Sequence, residues 1–70
     1  MSIKKMYFYG TDDLVIARRI DERAYGRDVW KSDDGTRYVV VMTAGGQYFM
    51  ALDDFAVNRQ KIEHIERYCL

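Results

Sequence analysis

The chain has 70 residues, of which 49% are hydrophobic and 14% aromatic, with eleven basic and eleven acidic side chains and a formal net charge of zero. That length holds one domain, 1–70, and that composition excludes an intrinsically disordered chain. The charge balance also holds by halves, seven against seven in 1–35 and four against four in 36–70, so neither the basic excess of a nucleic-acid binder nor the acidic excess of a nucleic-acid mimic is present.

The first predicted element is a strand over Ile3 to Tyr9, ended by Gly10. Thr11-Asp12-Asp13 then reads as a helix start. Thr11 can cap, and the two aspartates suit the positive end of a helix dipole. At ~100° per residue Ile16, Ala17, Ile20 and Ala24 share one face, so a helix is expected to about Tyr25, stopped by Gly26. A strand over Leu14 to Ile20 is the competing reading, and its alternation breaks at Arg18. Asp28 to Ser32 is a short strand carrying Trp30. Asp34-Gly35 and Gly45-Gly46 are hairpin signals on either side of Tyr38-Val39-Val40-Val41-Met42, the β-branched and aromatic centre of the chain. Gln47 to Leu52 returns as the last strand. Asp53 or Asp54 then caps a terminal helix to about Tyr68, with Phe55, Ile62, Ile65 and Cys69 on its apolar face. Glu63 and Arg67 are spaced as a favourable i,i+4 pair on the other. The expected class is α+β in the order β-α-β-β-β-α: a three- to four-stranded antiparallel sheet packed by two helices.

Two-residue loops at both hairpins set a register. Trp30 faces Val39, Val39 faces Leu52, Val41 faces Met50 and Thr43 faces Tyr48. The other side of the sheet receives Val29, Val40 and Ala51, Met42 with Phe49, and Lys31 with Tyr38. Both sides are apolar, and changing either loop by one residue would exchange faces without producing a polar one. A small antiparallel sheet usually keeps one wet face. Two dry faces need either a helix on each side or a partner on one.

The chain carries no catalytic or phosphate-binding motif. His64 is the only histidine and Cys69 the only cysteine. His64 falls on the solvent face of the last helix, and no intramolecular disulfide can form. The three Asp-Asp pairs lack calcium-loop spacing and read as turn and cap residues. Neither a cofactor nor a metal is expected, and the chain is read as non-enzymatic. With no leader-like or membrane-spanning segment, it is expected to be a complete small gene product of the cytoplasm, or of a host cytoplasm if phage-encoded.

The binding residues are therefore sought on surfaces. Six tyrosines are many for 70 residues, and tyrosine suits binding surfaces because an apolar ring carries a polar tip. The expected partner-binding set is Tyr7, Tyr9, Tyr38, Tyr48 and Phe49 on the sheet, with Asp33, Asp34, Asp53 and Asp54 as an acidic edge at one end of the central strand. The expected partner is a larger protein or protein complex, with a homodimer through an apolar sheet face as a further possibility. Small motif-free chains of this kind are common among phage and mobile-element inhibitors of host machinery, anti-CRISPR proteins among them.

The helix-three strands-helix order over 11–70 resembles that of double-stranded-RNA-binding domains, in order and length only. It implies the alternative, a small nucleic-acid-binding module. The basic cluster such domains carry at their last helix is thin here, limited to Arg59 and Lys61.

Overall fold

The computed structural model describes residues 2–68 as five strands and one helix. The strands are β1 (Ile3–Tyr7), β2 (Leu14–Ala24), β3 (Arg27–Ser32), β4 (Arg37–Thr43) and β5 (Gly46–Ala51), followed by α1 (Leu52–Tyr68). They form a single antiparallel meander in sequence order. The α+β class holds, but the helix expected over residues 11–25 is an eleven-residue strand. The reason lies at both of its ends. The Thr11 hydroxyl donates to the Phe8 carbonyl (3.0 Å) and accepts from the Asp13 amide (3.1 Å), so it closes a turn instead of capping a helix. Gly26 does not stop a helix. It follows Tyr25 in a two-residue turn between the paired Ala24 and Arg27, with φ of 54° at Tyr25 and 75° at Gly26. Positive φ at both central residues is the hairpin geometry that matches strand twist.

Both later hairpins depart from the expected register, with different consequences. The β3–β4 loop has three residues, Asp33-Asp34-Gly35. The Asp34 carboxylate accepts from the Ser32 hydroxyl (2.5 Å) and the Thr36 amide (2.9 Å), and Gly35 takes φ of 89°. Those hydrogen bonds, the Ser32 hydroxyl first, hold the exposed Asp34 carboxyl down at about 2. The extra residue pairs Trp30 with Tyr38 and moves β3 by one, which exchanges its faces. The β4–β5 loop is Ala44-Gly45, because the Thr43 hydroxyl accepts from the Gly45 amide (3.1 Å) and fixes the turn there. That shifts β5 by two, so Val39 faces Met50 and Val41 faces Tyr48 with faces preserved.

The sheet curls on itself. β1 and β5 are its first and last strands, yet Phe8 bridges Phe49 in parallel and the Tyr9 amide donates to the Phe49 carbonyl (2.7 Å). Inside lie Ala17, Trp30, Tyr38 and Phe49, with Met6, Phe8, Val15 and Val40 against them. Tilted and edge-to-face aromatic contacts fill this interior: Tyr38 on Phe49 (5.6 Å), Trp30 on Phe49 and Phe8 on Tyr38 (both 6.0 Å). Outside, α1 covers the other face of β4 and β5 through Phe55 and Ile62, which pack with Val39, Val41 and Met50. One helix and the curled sheet thus do the covering that two helices were expected to do.

α1 bends at Asn58 (φ −105°, ψ 16°), whose side-chain amide donates to the Asp54 carbonyl (3.0 Å). Its far half is tied to the sheet by Glu66. That carboxylate accepts from both terminal guanidinium nitrogens of Arg27 and from the Met42 amide (3.0 Å), while Arg27 also donates to the Val40 carbonyl (2.9 Å). The Arg27 hydrogen bond lowers the Glu66 pKa below its ordinary value, and the same contact raises that of Arg27. The expected Glu63–Arg67 pair is replaced by Arg59–Glu63 at 3.3 Å. Cys69 lies outside the described residues.

Candidate partner-binding face

α1 leaves the outer side of β1 and β2 bare. The register pairs Ile3 with Arg18, Lys5 with Ile16 and Tyr7 with Leu14. Strand alternation puts these six on the outer side, because Met6, Val15 and Ala17 point into the interior. Ile3 is 66% exposed, Ile16 58%, Tyr7 51% and Leu14 48%. The other exposed large apolar residues, Tyr25, Met42, Val57 and Tyr68, belong to a turn, another strand and the helix. Among the described residues, only on β1–β2 do four such residues adjoin across paired strands.

The same face continues sideways as a row of cations. Arg18 faces Lys31 across β2–β3, and Lys31 faces Arg37 across β3–β4. Adjacent strands are about 4.8 Å apart, so the three side chains start within roughly 10 Å of one another. Arg37 meets Glu22 at 3.3 Å. Among the described residues, Lys5, Arg18 and Lys31 make no ion pair.

The structure distributes the expected binding residues unevenly. Tyr7 stands on this bare face. Tyr38 and Phe49 are interior, 9% and 0% exposed, and offer a partner no surface. The three-residue loop explains Tyr38: it turns Trp30 and Tyr38 to the same inner side. Tyr9 and Tyr48 are half-buried, packed edge-to-face at 6.1 Å against the helix-side core. Asp33 and Asp34 occupy the β3–β4 turn, and Asp53 and Asp54 the first helical turn. Because Ala51 faces Tyr38, both pairs belong to the same end of β4. Asp34 is engaged by its own turn, and Asp53 and Asp54 suit the helix dipole.

Sequence reasoning missed Ile3, Lys5, Leu14, Ile16, Arg18 and Lys31 as one surface. The signal available was the apolar run Leu14 to Ala17, with β-branched residues at two of its four positions.

Among the described residues no group of three or more His, Cys, Asp or Glu side chains is placed to hold a metal ion. His64 is exposed and stacks at a tilt on Tyr68, 4.8 Å away. No helix among the described residues is long and apolar enough to cross a membrane. Comparison with family models, with curated proteins and with solved structures gives no match for this chain.

Proposed function

We propose that this chain is a non-enzymatic interaction module that docks onto a larger protein through the outer face of β1 and β2. The observation that carries the reading is the contiguous exposure of Ile3, Tyr7, Leu14 and Ile16 on paired strands. Four adjoining apolar side chains left in water favour association, whereas scattered ones are ordinary on any surface. The site differs from the tyrosine-rich set expected from sequence and retains only Tyr7 of it. A short chain of this build suits an inhibitor that occupies a surface of a host complex, as phage and mobile-element proteins such as anti-CRISPR proteins do.

The test is co-purification from the native host with the wild-type chain and with Ile16→Asp. Ile16 is exposed, so the variant keeps its fold, which circular dichroism checks. A partner retained by the wild type and lost by the variant supports the reading. A partner retained equally by both contradicts it.

A further inference from the structure

We infer that the β1–β2 face receives an acidic segment of a protein, its carboxylates meeting Lys5, Arg18 and Lys31 and its aliphatic side chains meeting Ile3, Leu14 and Ile16. This rests on the docking reading above and adds the chemistry of the partner.

On this face the chain sets its cations side by side. Eleven basic and eleven acidic side chains allow complete pairing. Off this face Arg19 and Arg23 pair with Asp28, Arg27 with Glu66 and Arg59 with Glu63, while Lys4, Lys61 and Arg67 stand apart from one another without an ion pair among the described residues. On the bare face, Arg18, Lys31 and Arg37 stand directly opposite one another on three strands. Like charges directly opposite across strands destabilise a sheet. Of the three, only Arg37 has a carboxylate within ion-pair distance among the described residues, that of Glu22. Folding alone gives no reason for such a row, and an anionic ligand does.

Charge also decides against a second copy. A two-fold contact joins two copies of one patch, and this patch is net cationic, so the copies repel. The β1 strand carries Lys4 and Lys5 in its middle, and lysine on an edge discourages strand-to-strand pairing between copies. Nucleic acid fits less well than protein. Sequence-tolerant binding of single strands stacks bases on exposed aromatic rings. Tyr7 is the sole aromatic residue among the exposed apolar residues of this face, and Trp30, Tyr38 and Phe49 are in the interior. Aliphatic side chains beside cations match a segment that mixes Asp or Glu with Leu, Ile or Val.

The experiment measures fluorescence anisotropy of three labelled probes: a peptide of alternating Glu and Leu, its Lys-for-Glu counterpart, and oligo(dT). The proteins are wild type, Ile16→Asp, Arg18→Glu and Lys31→Glu. The expected result is binding of the acidic peptide alone, weakening as salt rises, with at least about a tenfold loss in each charge variant. Binding of oligo(dT) in preference, equal binding of the lysine peptide, or no binding by any probe overturns the inference. If Ile16→Asp weakens peptide binding while Arg18→Glu and Lys31→Glu do not, the acidic-partner inference fails and the docking reading stands. If none of the three variants weakens it, both fail. Melting curves recorded on the same samples confirm that each variant is folded.

Discussion

The outer side of the sheet has two regions built from the same kinds of residue. Under α1, Val39, Val41 and Met50 meet Phe55 and Ile62 and are sealed from water. Over β1–β2, Ile3, Leu14 and Ile16 lie beyond the reach of α1 and stay about half exposed or more. Charges differ in the same way. At the covered region Arg27 and Glu66 are held together, with the Val40 carbonyl and the Met42 amide completing their hydrogen bonds. At the bare region Arg18 and Lys31 face each other without a carboxylate. The covered region therefore stabilises the fold, and the bare one adds little to it or opposes it. Residues that a fold does not need, in an arrangement it would not choose, are candidates for function.

Mutations should separate the two regions, the largest effect coming from the covered one. Phe55→Ala opens a cavity at a fully buried ring and should cost about 3–5 kcal/mol in urea unfolding. Ile62→Ala should cost about 2–5 kcal/mol for the same reason. Glu66→Ala leaves the Arg27 guanidinium and the Met42 amide short of an acceptor and should cost about 1–3 kcal/mol. The pH dependence follows in sign. Arg27 holds the folded Glu66 pKa below its ordinary 4.5. The stabilisation is thus fully present above about 4.5 and fades as pH falls through the lower, folded value. Acid titration of unfolding should show this loss in the wild type and much less of it in Glu66→Gln. On the bare region, Ile16→Ser should change stability by no more than about 0.5 kcal/mol in either direction. A loss there comparable to that of Ile62→Ala would erase the distinction between the regions.

Much of the fold was legible from local chemistry. β3, β4, β5 and the terminal helix were expected close to where they stand, because Val39 to Val41 is a β-branched run and Asp53-Asp54 opens an amphipathic segment. β2 was not legible, and the reason is the bare face itself. Leu14 to Ala17 is apolar on both sides of the strand, one filling the interior and one facing water, so the expected polar alternation never appears and a helical stripe can be drawn through it. The turn residues misled in a related way. Thr11 and Gly26 serve helix ends and strand turns equally well, and tertiary pairing decided between them. The Asp34 side chain lengthened one loop by a residue, which turned Trp30 and Tyr38 inward together. Of the expected binding residues, Tyr7 stands on the face now proposed, and Tyr38 and Phe49 are in the core.

The measurement that tests the central claim most directly is urea unfolding of Lys31→Glu. Lys31 lies between Arg18 and Arg37, and Arg37 already meets Glu22, so the substitution turns the repulsive pair with Arg18 into an attractive one. Such a cross-strand pair contributes roughly 0.2–1 kcal/mol, so the variant should be more stable than the wild type by about that much. Stability equal to or below that of the wild type would mean that the cation row is already satisfied within the fold, and that the bare face is not held at a cost for a partner.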